Sequence, residues 1–176
     1  MKRTGLVTAA AVSFVLMTPA LAAPALKPAL EPLGFLVGNW DSGEGKVADT
    51  GGTSKCGSVV SVESDGAVIL RRDHTETFDK AGKPAGSFHQ TMIIYHDGGV
   101  IHADYVDGEG HAIHYTSADV VADKSVTFTS APSQGPVFRL TYELQSPKML
   151  AITFGMIPPV ATEFRPIATG TLKKVL

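Results

Sequence analysis

The chain has 176 residues, 44% of them hydrophobic and 18% charged, with a formal net charge of −2. That content is too apolar for a disordered tail, and 18 Gly with 11 Pro in no fixed period excludes a collagen-like repeat. Mild acidity without a basic run argues against nucleic acid as a partner, and no G-x-G-x-x-G or P-loop spacing follows a strand pattern.

At the amino end, Lys2 and Arg3 precede an apolar run over residues 6–16, and Ala20-Leu21-Ala22 makes a small-residue cleavage site. This is the pattern of a secretory signal peptide, so removal of residues 1–22 and a periplasmic or secreted location are expected. The apolar run is shorter than the ~20 residues a spanning helix needs, so no integral membrane span is expected after processing. About 154 residues remain, the size of one domain. Cys56 is the only cysteine, so no intramolecular disulfide can form in that oxidising compartment. Its place in a strand-like stretch reads as a small buried hydrophobe rather than a nucleophile.

Residues 23–32, rich in Ala and Pro, read as an extended lead-in, and residues 31–37 as one short helical turn with an apolar plug of Leu33, Phe35, Leu36 and Val37. After Trp40 nearly every segment is short, rich in Val, Ile, Thr, Tyr and Phe, and bounded by a turn signal. Strands are predicted near residues 38–48, 53–64, 67–78, 86–96, 99–106, 111–118, 120–130 (with Asp123-Lys124 as an alternative break), 136–145, 148–156 and 164–174. Asp65-Gly66 and Asp97-Gly98 are two-residue hairpin signals, and Asp107-Gly108-Glu109-Gly110 marks another tight turn. The fold class expected is all-β: an antiparallel up-and-down barrel of about ten strands over residues 33–176, closed because closure removes exposed edges. A two-sheet sandwich is the alternative.

Leu33-Gly34-Phe35-Leu36-Val37-Gly38-Asn39-Trp40-Asp41-Ser42-Gly43-Glu44-Gly45 resembles the opening of calycin-type barrels. Lipocalins carry G-x-W at the start of the first strand, and nitrobindin-like proteins a hydrophobic-L-x-G-x-W followed by a Gly-spaced strand. The resemblance implies a Trp that closes the barrel floor. Nitrobindin-like haem proteins bind iron through a histidine on the last strand, whereas residues 167–174 here hold none and the last histidine is His114. No cofactor is therefore expected by that route. Ala103-Asp104-Tyr105 is similar to the lipocalin T-D-Y motif, but it stands too early and on a strand.

Hairpin registers predict which side chains face inward. A two-residue loop at Asp97-Gly98 pairs Ile94 with Ile101 and Gln90 with Tyr105. A loop at Gly108-Glu109 pairs Tyr105 with Ala112 and Ala103 with His114. The more apolar face, with Gln90, Met92, Tyr105 and His114, is assigned to the interior, and Arg72 and His74 are taken as the inward row of the preceding strand. The candidate ligand site is then Arg72, His74, Gln90, Met92, Tyr105 and His114, beside an apolar wall that includes Phe138, Leu140, Tyr142 and Phe154. An Arg and a Tyr in an apolar barrel suit a carboxylate-headed lipid, because a guanidinium forks onto a carboxylate.

The function expected is an exported barrel that binds a small hydrophobic molecule, its one expected partner, with a carboxylate as the candidate head group. No catalytic residue is assigned. Alternatives are a lipid-like isomerase or hydrolase using Tyr105 and His114, and a haem or metal protein. For metal, His102, His111 and Asp104 share one face and could form a surface site, whereas His111-x-x-His114 cannot, because an odd offset on a strand points the rings to opposite faces.

Overall fold

The structure is a computed structural model that describes residues 24–132, 135–158 and 161–175. The expected signal segment lies outside the described residues. Ten strands follow a 3₁₀ turn, Glu31–Leu36, and a second short 3₁₀ turn, Ser64–Gly66, joins the second strand to the third. They are β1 Gly38–Val47, β2 Gly52–Glu63, β3 Val68–Phe78, β4 Pro84–Asp97 and β5 Val100–Asp107, then β6 Ala112–Val121, β7 Ser125–Ser130, β8 Val137–Ser146, β9 Met149–Ile157 and β10 Arg165–Val175. Each strand pairs with its sequence neighbour, and β10 returns to β1, so the sheet is a closed antiparallel barrel. The meander is the expected one, and the sandwich alternative falls with it. Among the described residues no helix is long and apolar enough to cross a membrane.

One end is plugged. Leu30, Leu33 and Leu36 of the lead-in and 3₁₀ turn are buried under the barrel with Trp40 at the start of β1, and the Trp40 Nε1–H donates to the Leu36 carbonyl at 2.8 Å. The plug is tied to two turns by backbone bonds, Lys27 N–H to Gly66 O and Asp123 N–H to Pro32 O. The Trp therefore closes the floor as the resemblance implied. At the opposite end lie the β1–β2, β3–β4, β5–β6, β7–β8 and β9–β10 connections.

Three register readings need correction. The β4–β5 turn is Gly98-Gly99, both at positive φ, and it pairs Asp97 with Val100 and Ile94 with Ala103. A type I′ turn needs positive φ at both central residues, and two glycines supply it without a steric cost. The ladder moves by two, which leaves the faces unchanged. The β5–β6 connection has three residues between Asp107 and His111, with Gly110 at φ +91. Tyr105 consequently pairs with Ile113 and Ala103 with Tyr115. This odd shift reverses every side chain of β6, carrying His114 out and Tyr115 in. On β3 the buried row is Ile69, Arg71, Asp73 and Thr75, so Arg72 and His74 face outward. Val68-Ile69-Leu70 and Arg71-Arg72 put like residues on both faces of β3, and alternation alone carries no signal there.

Of the two strands expected over residues 111–130, the break falls at residues 122–124, where Asp123 stands at φ 56. This is the alternative break that Asp123-Lys124 suggested.

Candidate functional site

The interior changes character along the barrel axis. Above the plug the apolar side chains of Val60, Ile69, Ile94, Val126, Leu150 and Leu172 are all buried. A void of only about 10 Å³ remains there, bordered by Trp40, Ser58, Arg71 and Tyr142. That is room for one water at most. The plugged half is a packed core.

The middle layer is built on Arg71 of β3, which is 8% exposed and sits across from Met92 of β4. Its guanidinium pairs with the Asp73 carboxylate, donates to the Tyr142 hydroxyl and lies 5.1 Å from the Tyr142 ring. Burial opposes the arginine's charge most strongly, but Asp73 together with the Tyr142, Cys56 and Tyr105 side chains outweighs it and holds the guanidinium above its ordinary pKa. The Tyr142 hydroxyl in turn contacts Met92 Sδ at 3.6 Å, and Phe128 meets the same ring edge-on at 6.5 Å. Beyond the ion pair, neither Asp73 oxygen accepts a hydrogen bond among the described residues, nor does Ser58 Oγ, which comes from the residue paired with Asp73 across β2 and β3. Hydrogen-bonding capacity left unused in a buried place costs free energy.

The third layer lies toward the unplugged end. Cys56 is half-buried there, and burial, reinforced by Asp73, pushes its thiol pKa up. The Gln90 amide donates to Thr75 Oγ1 at 2.7 Å. The Tyr105 hydroxyl donates to Asp107 Oδ2 at 2.9 Å, and burial followed by that carboxylate raises the phenol well above its ordinary value. Burial alone would raise the Asp107 carboxyl, but donors from the His111 backbone and ring, the Tyr105 hydroxyl and the Glu109 N–H hold it below the usual carboxylate value. Ile113, Phe138, Ile152 and Phe154 pack on the core yet stay partly exposed, with Phe138 and Phe154 stacked at 5.7 Å.

Of the six residues named from the sequence, Met92, Gln90 and Tyr105 are inside and share this lumen. Arg72, His74 and His114 are outside and exposed, so the expected constellation does not assemble. His114 Nδ1 instead lies 2.7 Å from Asp104 Oδ1 on the outer wall. Tyr105 and His114 stand on opposite faces, and the two cannot act on one substrate atom. The residues the sequence reading missed are Arg71, Asp73, Ser58 and Tyr115. The chemistry expected of Arg72 is present one position earlier, with a carboxylate already beside it.

The expected surface trio also does not form. Asp104 is taken by His114, His102 stacks on Tyr95 at 5.3 Å, and His111 Nδ1 lies 2.9 Å from Asp107 Oδ2. Four histidines face outward on strands, His111 is in a turn, and His96 is exposed at the plugged rim, so no imidazole enters the unplugged half of the lumen. A separate groove of about 680 Å³ runs along the outer wall over β9, β10 and the irregular part of β1, where Lys46 and Lys173 flank Thr153, Thr169 and Thr171.

No family model matches the sequence, and no curated protein is similar to it in sequence. Among solved structures, the chain is similar to the crystal structure of Rv2717c from M. tuberculosis, with a TM-score of 0.62 and 16% identity over 86% of this chain and 99% of that one. At that identity the likeness establishes a shared barrel fold, and the chain is a closed ten-stranded antiparallel β-barrel of that architecture.

Proposed function

We propose that this protein is an exported barrel that binds a small, largely apolar, uncharged molecule at the unplugged end of its lumen. The observation that carries the reading is the ring of inward-facing Ile113, Phe138, Ile152 and Phe154. These side chains belong to the core face of their strands but stay partly open to solvent, an arrangement that suits an apolar ligand more than a finished core. Tyr105 and Gln90 add polar anchors at the same level. A carboxylate head group suits the lumen less well than the sequence suggested. The arginine inside is Arg71, whose charge is already matched by Asp73, and an incoming carboxylate would meet that anion. Alcohol or amide donors fit better, because Ser58, and Asp73 outside its pairing with Arg71, accept no hydrogen bond among the described residues. Export rests on the pattern of residues 1–22.

Titration of the purified protein with the neutral dye Nile red tests the binding reading. One saturable site is expected, with a blue-shifted emission, and Ile113→Arg should abolish it by putting a charge in the apolar ring while leaving the circular dichroism spectrum unchanged. No saturable binding, or equal binding by folded Ile113→Arg, overturns the proposal.

A further inference from the structure

We propose that His74 and His89 form a surface site for one transition-metal ion of the Zn²⁺, Ni²⁺ or Cu²⁺ class, on the outer wall and independent of the lumen. The two residues are direct partners across β3 and β4, and residues directly opposite on one sheet face carry Cβ atoms about 4.5–5.5 Å apart. Their ring centroids are 4.6 Å apart at an interplanar angle of 39°. Imidazole nitrogens bind these metals at about 2.0–2.1 Å, and two rings at this separation and tilt can turn one nitrogen each onto a common ion. Glu76 stands two residues along the same face of β3, with Oε1 3.9 Å from His74 Nε2 and both side chains about half exposed. It is available as an oxygen ligand, and water fills the remaining positions.

Two features separate this pair from His111 and His114. Neither imidazole makes a hydrogen bond among the described residues, whereas His111 and His114 are each held by an aspartate. The pair is also flanked by glycines. Gly57 is the partner of His74 on β2, and a Cβ built there would meet nothing within 4 Å. On the other side the Gly108 N–H bonds the His89 carbonyl. The row Gly57–His74–His89–Gly108 therefore leaves open space on both sides of the rings, room for an ion and its waters. The neighbouring rows bring Arg72 with Thr91 and Glu76 with Ser87, so Glu76 offsets the arginine charge. The turn cluster of Asp107, Glu109 and His111 also brings its donor atoms within 4.8 Å of one another, but there the Asp107 carboxylate already accepts from Tyr105, Glu109 and His111, and an ion would have to displace them. Imidazole prefers the borderline metals named above over Mg²⁺ or Ca²⁺.

The test is Cu²⁺ titration of the untagged protein by calorimetry, with an electron paramagnetic resonance spectrum of the loaded sample. One ion per chain and nitrogen splitting from two imidazoles are expected. His74→Thr and His89→Thr should each weaken binding by about tenfold or more, since losing even a group behind a ligand costs about 10–100-fold. Threonine suits a strand, so both variants should keep the native circular dichroism spectrum. His102→Thr and His114→Thr should bind as the parent does. Unchanged affinity in both the His74 and His89 variants, or loss of the site on substituting His111, overturns the proposal.

Discussion

Arg71 and Asp73 form a charged pair in the middle of a barrel, and removing one partner without the other should be among the most damaging single changes the chain can suffer. Arg71 is 8% exposed and Asp73 4%, so neither charge can turn to water when its partner is lost. Arg71→Met would leave Asp73 with no counterion and no hydrogen-bond donor among the described residues. Breaking a buried pair in this way costs about 3–5 kcal/mol, whereas replacing both partners with apolar groups is often neutral or stabilising. At about 2–4 °C per kcal/mol for a domain of this size, the single variant should lose roughly 6–20 °C in Tm. The double variant Arg71→Met/Asp73→Val should recover most of that. Arg72→Ala is the control, because this exposed residue should cost no more than about 0.5 kcal/mol. The assay is thermal and urea unfolding of the parent, Arg71→Met, Asp73→Val, the double variant and the Arg72→Ala control, read by circular dichroism, the first four forming a double-mutant cycle. A loss below about 1 kcal/mol for Arg71→Met would refute the assignment of Arg71 as a buried ion. So would a double variant whose loss equals the sum of the two singles.

Two further outcomes follow from the plug and the tyrosines. Trp40→Ala should cost about 3–5 kcal/mol from cavity formation in the packed half. Trp40→Phe should lose little more than the 2.8 Å bond to Leu36, about 0.5–1.5 kcal/mol. Both are read by urea unfolding, and equal losses would mean that ring volume does not seal the floor. Burial raises the pKa of Tyr105, Tyr115 and Tyr142 above the ordinary value of about 10. A raised folded value means that the stability these groups contribute is complete below about pH 10 and is lost as pH rises, because the unfolded chain ionises first. Absorbance titration of tyrosinate should show these three ionising only as the protein unfolds. A reversible titration of all the tyrosines near pH 10 in a folded protein would contradict their burial.

How far the sequence carried depended on what decides each feature. Strand number and order were legible because turn residues and β-branched runs are local signals, and the G-x-W opening located the floor at Trp40. The faces of single strands were less legible. His114 was lost from the lumen because the β5–β6 turn uses Gly110 at positive φ as a third loop residue, a choice set by the Asp107 side chain, which accepts from the Glu109 and His111 N–H groups. A single extra loop residue reversed every side chain of β6. Arg72 was preferred to Arg71 because apolar residues precede both, and only pairing with β4 across a longer connection decides between them. Gln90, Met92 and Tyr105 were placed correctly although the β4–β5 register was off, since a slip of two residues preserves the face. Asp73 could not be foreseen, because a carboxylate is rarely buried and its place depends on the arginine two residues before it.

The seam that closes the barrel joins the first strand to the last, with Trp40 opposite Lys174. Such a contact between distant parts of the chain forms only after nearly every strand has been made, and contacts of long sequence separation slow folding. The same dependence carries a hazard. A chain clipped before β10 would present β1 and β9 as unpaired edges, each a template for another molecule's strand. The final segment thus governs whether the other nine strands end in a closed barrel or in an aggregate.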